Sequence, residues 1–169
     1  MKRTVVLLLL LLSLAALSRT ATVDLNLDFD MITLSSTPST GLSMTGLQLD
    51  VLLTSPGNVQ MGFGMGYHWL FGSESFFEKS FSNLIELYSV ASYKSEFSSV
   101  LDLFVVSRGG MAVPVLDFST SGYFVEVSVD LVYTKGFFRA FGGLSLKSYA
   151  FGDRSVLFLP VKVGIGGEF

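Results

Sequence analysis

The sequence contains no cysteine. That absence excludes a disulfide framework, thiol chemistry and a lipoprotein attachment site. Charge is scarce as well: Asp, Glu, Lys and Arg make up 15% of the 169 residues, against about 25% in an ordinary soluble domain. Beyond residue 18 there is no apolar run of the ~20 residues that a spanning helix needs. No phosphate-binding glycine loop is present either, because Gly62, Gly64 and Gly66 fall inside an alternating segment. Against these absences stands a hydrophobic content of 50%. A chain this apolar with no spanning run must spread its apolar residues, as alternating strands do.

The start of the chain reads differently from the rest. Lys2 and Arg3 precede an apolar core from Val5 to Leu17, and Ala16-Leu17-Ser18 offers small residues for cleavage after Ser18. Residues 1–18 are therefore expected to be a cleaved signal peptide, with a retained membrane anchor as the alternative. Residues 19–169 show no linker, low-complexity tract or second domain. Without Lys2 and Arg3, nine basic residues face fourteen acidic ones, a net charge of −5. That argues against nucleic acid as a partner.

In "TVDLNLDFDM" (22–31), Val23, Leu25, Leu27, Phe29 and Met31 occupy every second position, with Asp or Asn between them. This is the period of a strand with one apolar and one polar face. Eight such segments follow one another, at about 23–33, 41–53, 59–71, 84–94, 100–115, 122–133, 138–149 and 156–169, separated by turn-forming residues. Short turns at one end should alternate with longer loops at the other, at 34–40, 72–83, 117–121 and 150–155. The expected segments exceed the five or six residues usual in a soluble sheet, roughly. They suit the ~9–11 residues of a tilted membrane strand. Lipid cannot satisfy an open sheet edge, so the sheet must close on itself.

Segment 59–71 decides which face meets lipid. One side carries Val59, Met61, Phe63, Met65, Tyr67, Trp69 and Phe71, the other Gln60, Gly62, Gly64, Gly66, His68 and Leu70. The narrow bore of an eight-stranded barrel has room for glycines and not for seven bulky side chains per strand. The apolar face should point outward. Interfacial aromatics would then form two belts: Tyr67, Trp69, Phe71, Tyr123 and Tyr149 at the outer end, and Tyr93, Tyr133, Phe138 and Phe169 at the other.

In "LPVKVGIGGEF", Leu159, Val161, Val163 and Ile165 alternate toward a terminal Phe169. This resembles the last-strand signature of Gram-negative outer-membrane proteins. With the signal peptide and eight segments, residues 19–169 resemble the small OmpA/OmpX-type barrels in architecture and terminal pattern, although no internal motif marks a subfamily. The resemblance implies an all-β, eight-stranded antiparallel up-and-down transmembrane barrel, exported by a Sec-type route to a bacterial outer membrane and inserted as a monomer. Its partners would be outer-membrane lipids and the barrel assembly machinery, engaged through the strand ending at Phe169. The loop from Gly72 to Asn83, with Phe76, Phe77 and Phe81, is a candidate surface for another partner.

Parity places nine acids inside: Asp24, Asp28, Asp30, Asp50, Glu86, Asp102, Glu126, Asp130 and Glu168. Lys94, Arg108, Arg139, Lys147 and Lys162 face them. Buried charges must be paired or wet. Reflecting the fifth segment through its flanking turns sets Arg108 opposite Glu86 on one side and Asp130 on the other. Arg139 falls diagonally near Glu168. The expectation is a polar plug drawing on Asp28, Asp30, Glu86, Arg108, Asp130, Arg139, Lys162 and Glu168. No metal-ligand set stands out, and no cofactor is expected.

Three functions compete with a plugged, non-catalytic structural barrel. Phe104, Val106, Phe124 and Val132 point inward, which would suit the bore to small apolar molecules. His68, the single histidine, has Ser73, Glu74 and Ser75 nearby in sequence, the inventory of an acyl-transfer or deacylation enzyme acting on lipid, but with no recognisable spacing. A secreted lipocalin-like barrel would instead be soluble without detergent.

Overall fold

The computed structural model describes residues 21–37, 42–54, 58–72, 81–115 and 120–169. The expected signal peptide lies outside these residues, as do Ser73, Glu74, Ser75, Phe76 and Phe77. The described chain forms eight strands: β1 Ala21–Thr37, β2 Ser43–Thr54, β3 Val59–Phe71, β4 Phe81–Glu96, β5 Leu101–Pro114, β6 Gly122–Lys135, β7 Phe138–Phe151 and β8 Arg154–Glu168. Each pairs antiparallel with its sequence neighbours, and β8 returns to β1 to close the barrel. At the seam, Ala21 N–H donates to Phe169 O at 2.9 Å and Phe169 N–H to Ala21 O at 2.8 Å. The C-terminal residue thereby completes the ladder at the seam between β1 and β8.

Side-chain alternation follows the pleat throughout. In β6, Tyr123, Val125, Val127, Val129 and Leu131 stand exposed on the outside, whereas Phe124, Glu126, Ser128, Asp130 and Val132 are buried in the bore. Met65 and Leu87, paired across β3 and β4, are 55% and 57% exposed. The apolar surface is therefore external and the ionised groups are internal, the arrangement of a membrane barrel.

The strands depart from the sequence reading mainly at their ends. β1 runs to Thr37, beyond the expected end at residue 33, because it absorbs extra residues against β8 in two register shifts, at Phe29/Ile32 and Thr33/Ser35. Pro160 lies on β8 opposite the first shift, where its missing N–H removes no regular ladder bond. The connection expected at 150–155 is a tight turn: Phe151 pairs with Arg154, leaving Gly152 and Asp153 between them. Gly152 adopts φ 63°, and Gly136 repeats this with φ 62° in the turn from β6 to β7. A side chain at either position would be strained.

Tyr149 corrects the expected aromatic belt. It is fully buried in the bore, stacked on Phe151 and edge-on to Phe158. The reason is parity: Tyr149 lies two residues after the inward Lys147, so it must share that face. Of the other belt residues, Phe71, Tyr93, Tyr123, Tyr133, Phe138 and Phe169 are exposed outside. Tyr67 and Trp69 are half-buried on the outer face and meet edge to face at 5.1 Å. Phe97 and Phe137, in turns beside the termini, extend that end's aromatic surface.

Candidate functional site

The bore has three zones. At the end that carries the termini, a cavity of about 360 Å³ opens between Gln60, Lys94, Asp102, Phe104, Arg139 and Glu168. Ion pairs fill the middle. At the far end, Leu42, Met44, Leu70, Leu84, Phe124, Tyr149, Phe151 and Phe158 pack into an apolar cap.

In the middle zone, Arg108 donates from Nη2 to Asp50 Oδ2 at 2.6 Å and from Nη1 to Glu126 Oε1 at 3.1 Å. Lys162 donates to Glu126 and, at 2.7 Å, to Gln48 Oε1. Lys147 donates to Glu86 Oε2 at 3.0 Å and lies 3.4 Å from Glu126 Oε2. The His68 ring is wedged between Asp28, 3.0 Å from Nε2, and Glu86, 3.2 Å from Nδ1. Four buried carboxylates, Asp28, Asp50, Glu86 and Glu126, thus surround three cations and one imidazole. Tyr88 donates to Asp50 Oδ1 at 2.7 Å, and Tyr149 donates to Glu86, joining the cap to the cluster. Such a cluster is tolerable only because each charge has a partner.

Inward glycines make these contacts geometrically accessible. Gly46 pairs with Asp28 on one side and His68 on the other, and those two side chains meet above it. Gly64 stands between Asp50 and Tyr88, and Gly66 between Gln48 and Glu86. Gly166 likewise separates Asp24 from Arg139, whose Oδ2 and Nη1 come within 3.5 Å. In each case a missing side chain lets two strands that are not neighbours bond across the one between them. A Cβ on Gly64 would fall 2.5 Å from the Tyr88 ring and 2.6 Å from Leu49 O. Gly64→Ala is expected to destabilise the barrel by about 1–3 kcal/mol through overpacking. The outward Gly109, where a Cβ meets only Phe124 O at 3.8 Å, should accept alanine without loss. Urea unfolding of both variants in detergent checks the contrast.

The pairings differ from those read off the turns. Arg108 sits opposite Val90, not Glu86, and opposite Glu126, not Asp130. Each flanking turn is centred two residues from its expected place, which moves the partner by four positions and keeps the face. Arg139 turns to Asp24 and not to Glu168. Asp130 is buried and accepts from Ser128 Oγ at 3.0 Å, Glu168 is half-buried at the mouth, and the side chain of Asp30 lies outside the described residues. The plug also recruits Gln48, Asn26, Tyr88, Tyr149 and His68. The inward apolar residues Phe124, Val132, Phe104 and Val106 are all buried, with Phe104 lining the mouth cavity.

No protein-family model matches the chain, and no curated protein matches it. Solved structures do resemble it. One is the N-terminal β-barrel domain of OprF from Pseudomonas aeruginosa, with a TM-score of 0.53 at 12% identity, covering 90% of this chain and 98% of that one. Another is a de novo designed transmembrane β-barrel, with a TM-score of 0.49 at 11% identity, covering 89% and 95%. At 12% identity the likeness to the OprF domain concerns the fold alone. The fold is that of a closed, eight-stranded transmembrane β-barrel of the small outer-membrane type.

Proposed function

We propose that this chain is an integral outer-membrane barrel with a sealed polar interior, serving envelope structure and surface interaction without catalysis. The observation that carries the reading is the pairing of an exposed apolar exterior with a bore blocked by ion pairs and an apolar cap. A barrel of this size leaves no room for a general pore, and the cross-bore contacts fill the middle of the bore. In this reading, a Sec-type signal in residues 1–18 directs export, the strand ending at Phe169 addresses the chain to the assembly machinery, and the barrel is a monomer. The end carrying the termini faces the periplasm, and the loop from Gly72 to Asn83 is the surface available to a partner. Cell fractionation combined with heat-modifiable gel migration tests residence and closure together. Porin-like conductance in planar bilayers would overturn the sealed interior.

The enzyme reading has little support from the position of His68. Its ring is fully buried between Asp28 and Glu86, with Lys147 Nζ 3.3 Å from Nε2. An acyl-transfer base must reach its nucleophile and the lipid. The expected result is no acyl transfer or deacylation from phospholipid by the folded chain; turnover abolished by His68→Ala would reverse the assignment.

A further inference from the structure

We propose that the cavity at the terminal mouth binds a small zwitterion, of amino-acid or dipeptide size, carrying one carboxylate and one ammonium group. This goes beyond the structural role above. The cavity's volume of about 360 Å³ falls in the ~300–1,000 Å³ range of small-molecule sites. Arg139 lines it and is only 3% exposed. Its guanidinium stands 5.1 Å over the Phe104 ring and 3.5 Å from Asp24 Oδ2, yet makes no hydrogen bond to any described residue. A guanidinium presents five N–H donors in a fixed fork, and the Arg139 nitrogens are not sealed off but reach the cavity. A carboxylate entering the cavity would accept two of them at once.

The second charge of the ligand is specified by Glu168. Arg139 is paired with Gly166, two positions before Glu168, so the two residues are diagonal neighbours on one hairpin. Both line the cavity, but they form no ion pair. The Glu168 side chain has no hydrogen bond or ion pair among the described residues. Lys94 and Asp102, in contrast, satisfy each other at 3.0 Å. Arg139, whose one ion-pair partner is Asp24 at 3.5 Å, and Glu168, whose carboxylate has none among the described residues, thus face the same space, which complements a molecule with separated opposite charges. A simple anion fits less well, because Asp24 and Glu168 would repel it. The apolar cap closes the opposite end, so the ligand enters and leaves by this mouth.

The test uses the folded chain in detergent micelles and saturation-transfer NMR with three probes at millimolar concentration: Ala-Ala, N-acetyl-Ala-Ala and Ala-Ala amide. Ala-Ala should bind saturably, and each blocked peptide should bind about tenfold more weakly or worse, the loss of one charge-assisted contact. Arg139→Gln should weaken Ala-Ala by a similar factor. Should that variant fail to fold, Glu168→Gln at the half-buried rim supplies the same measurement on an intact barrel, with the loss confined to probes that bear an ammonium group. Equal binding of all three peptides, no saturable Ala-Ala signal, or unchanged Ala-Ala binding in Glu168→Gln would each overturn the proposal.

Discussion

Arg108→Leu is expected to be among the most damaging single changes in the barrel, lowering its stability by about 3–5 kcal/mol. The guanidinium is 3% exposed and joins Asp50 on β2 to Glu126 on β6, so it ties opposite walls together. Glu126 retains Lys162 and Lys147 after the substitution. Asp50 does not fare as well, keeping only neutral donors, Asn26 Nδ2 at 3.1 Å and Tyr88 Oη. An ionised carboxylate buried without a cation is the dominant penalty. The double variant Arg108→Leu/Asp50→Asn should therefore recover part of the loss, because the orphaned charge is removed while an acceptor for Tyr88 remains. Denaturant unfolding in detergent micelles measures both effects. An unfolding midpoint for Arg108→Leu equal to that of the unaltered chain would show that the ion pairs contribute nothing to holding the bore closed.

Local pattern carried the fold, and distance limited what it carried. The alternation of Met61, Phe63 and Met65 with Gly62, Gly64 and Gly66 is a property of adjacent residues, and it fixes which face is external. The closed antiparallel order follows from eight such segments with turns between them. Strand ends were less legible. β1 gains its extra length from bulges against β8, a strand more than a hundred residues away in sequence. The tight turn at Gly152-Asp153 shows that a mixed polar stretch need not be a loop.

The interior was only partly readable, for a geometric reason. Parity assigns a residue to the bore, but a contact across the bore depends on the stagger of every strand between its partners. Arg108 meets Asp50, and Lys147 meets Glu86, on strands that are not neighbours. Reflection through turns can offer only neighbouring strands, so it proposed Glu86 and Asp130 for Arg108. The inward glycines were the overlooked signal. Their small size does more than relieve crowding: Gly46, Gly64, Gly66 and Gly166 each sit under a specific bridge between the strands on either side. Tyr149 was misplaced for a simpler reason: an aromatic near a strand end resembles a belt residue until its parity with Lys147 is applied.

Val127→Arg puts the orientation itself to the test. Val127 is 47% exposed on the outer face, near the middle of β6, between the buried Glu126 and Ser128. Its lateral neighbours are Ser107 on β5 and Leu146 on β7. If the outer face meets hydrocarbon, an arginine here must carry its charge to mid-depth or bend toward a distant interface, at a cost of about 2–4 kcal/mol. The same substitution at Tyr123, exposed at the start of the strand, lies near the aqueous boundary and should cost only about 0–1 kcal/mol from the charge. A water-exposed surface would accept either change within about 0.5 kcal/mol. Folding free energies in phospholipid vesicles therefore separate the two environments by the difference between positions, which cancels effects common to any added arginine. Equal, small penalties at Val127 and Tyr123 would mean that water covers the outer face. A penalty concentrated at Val127 would mean that lipid does.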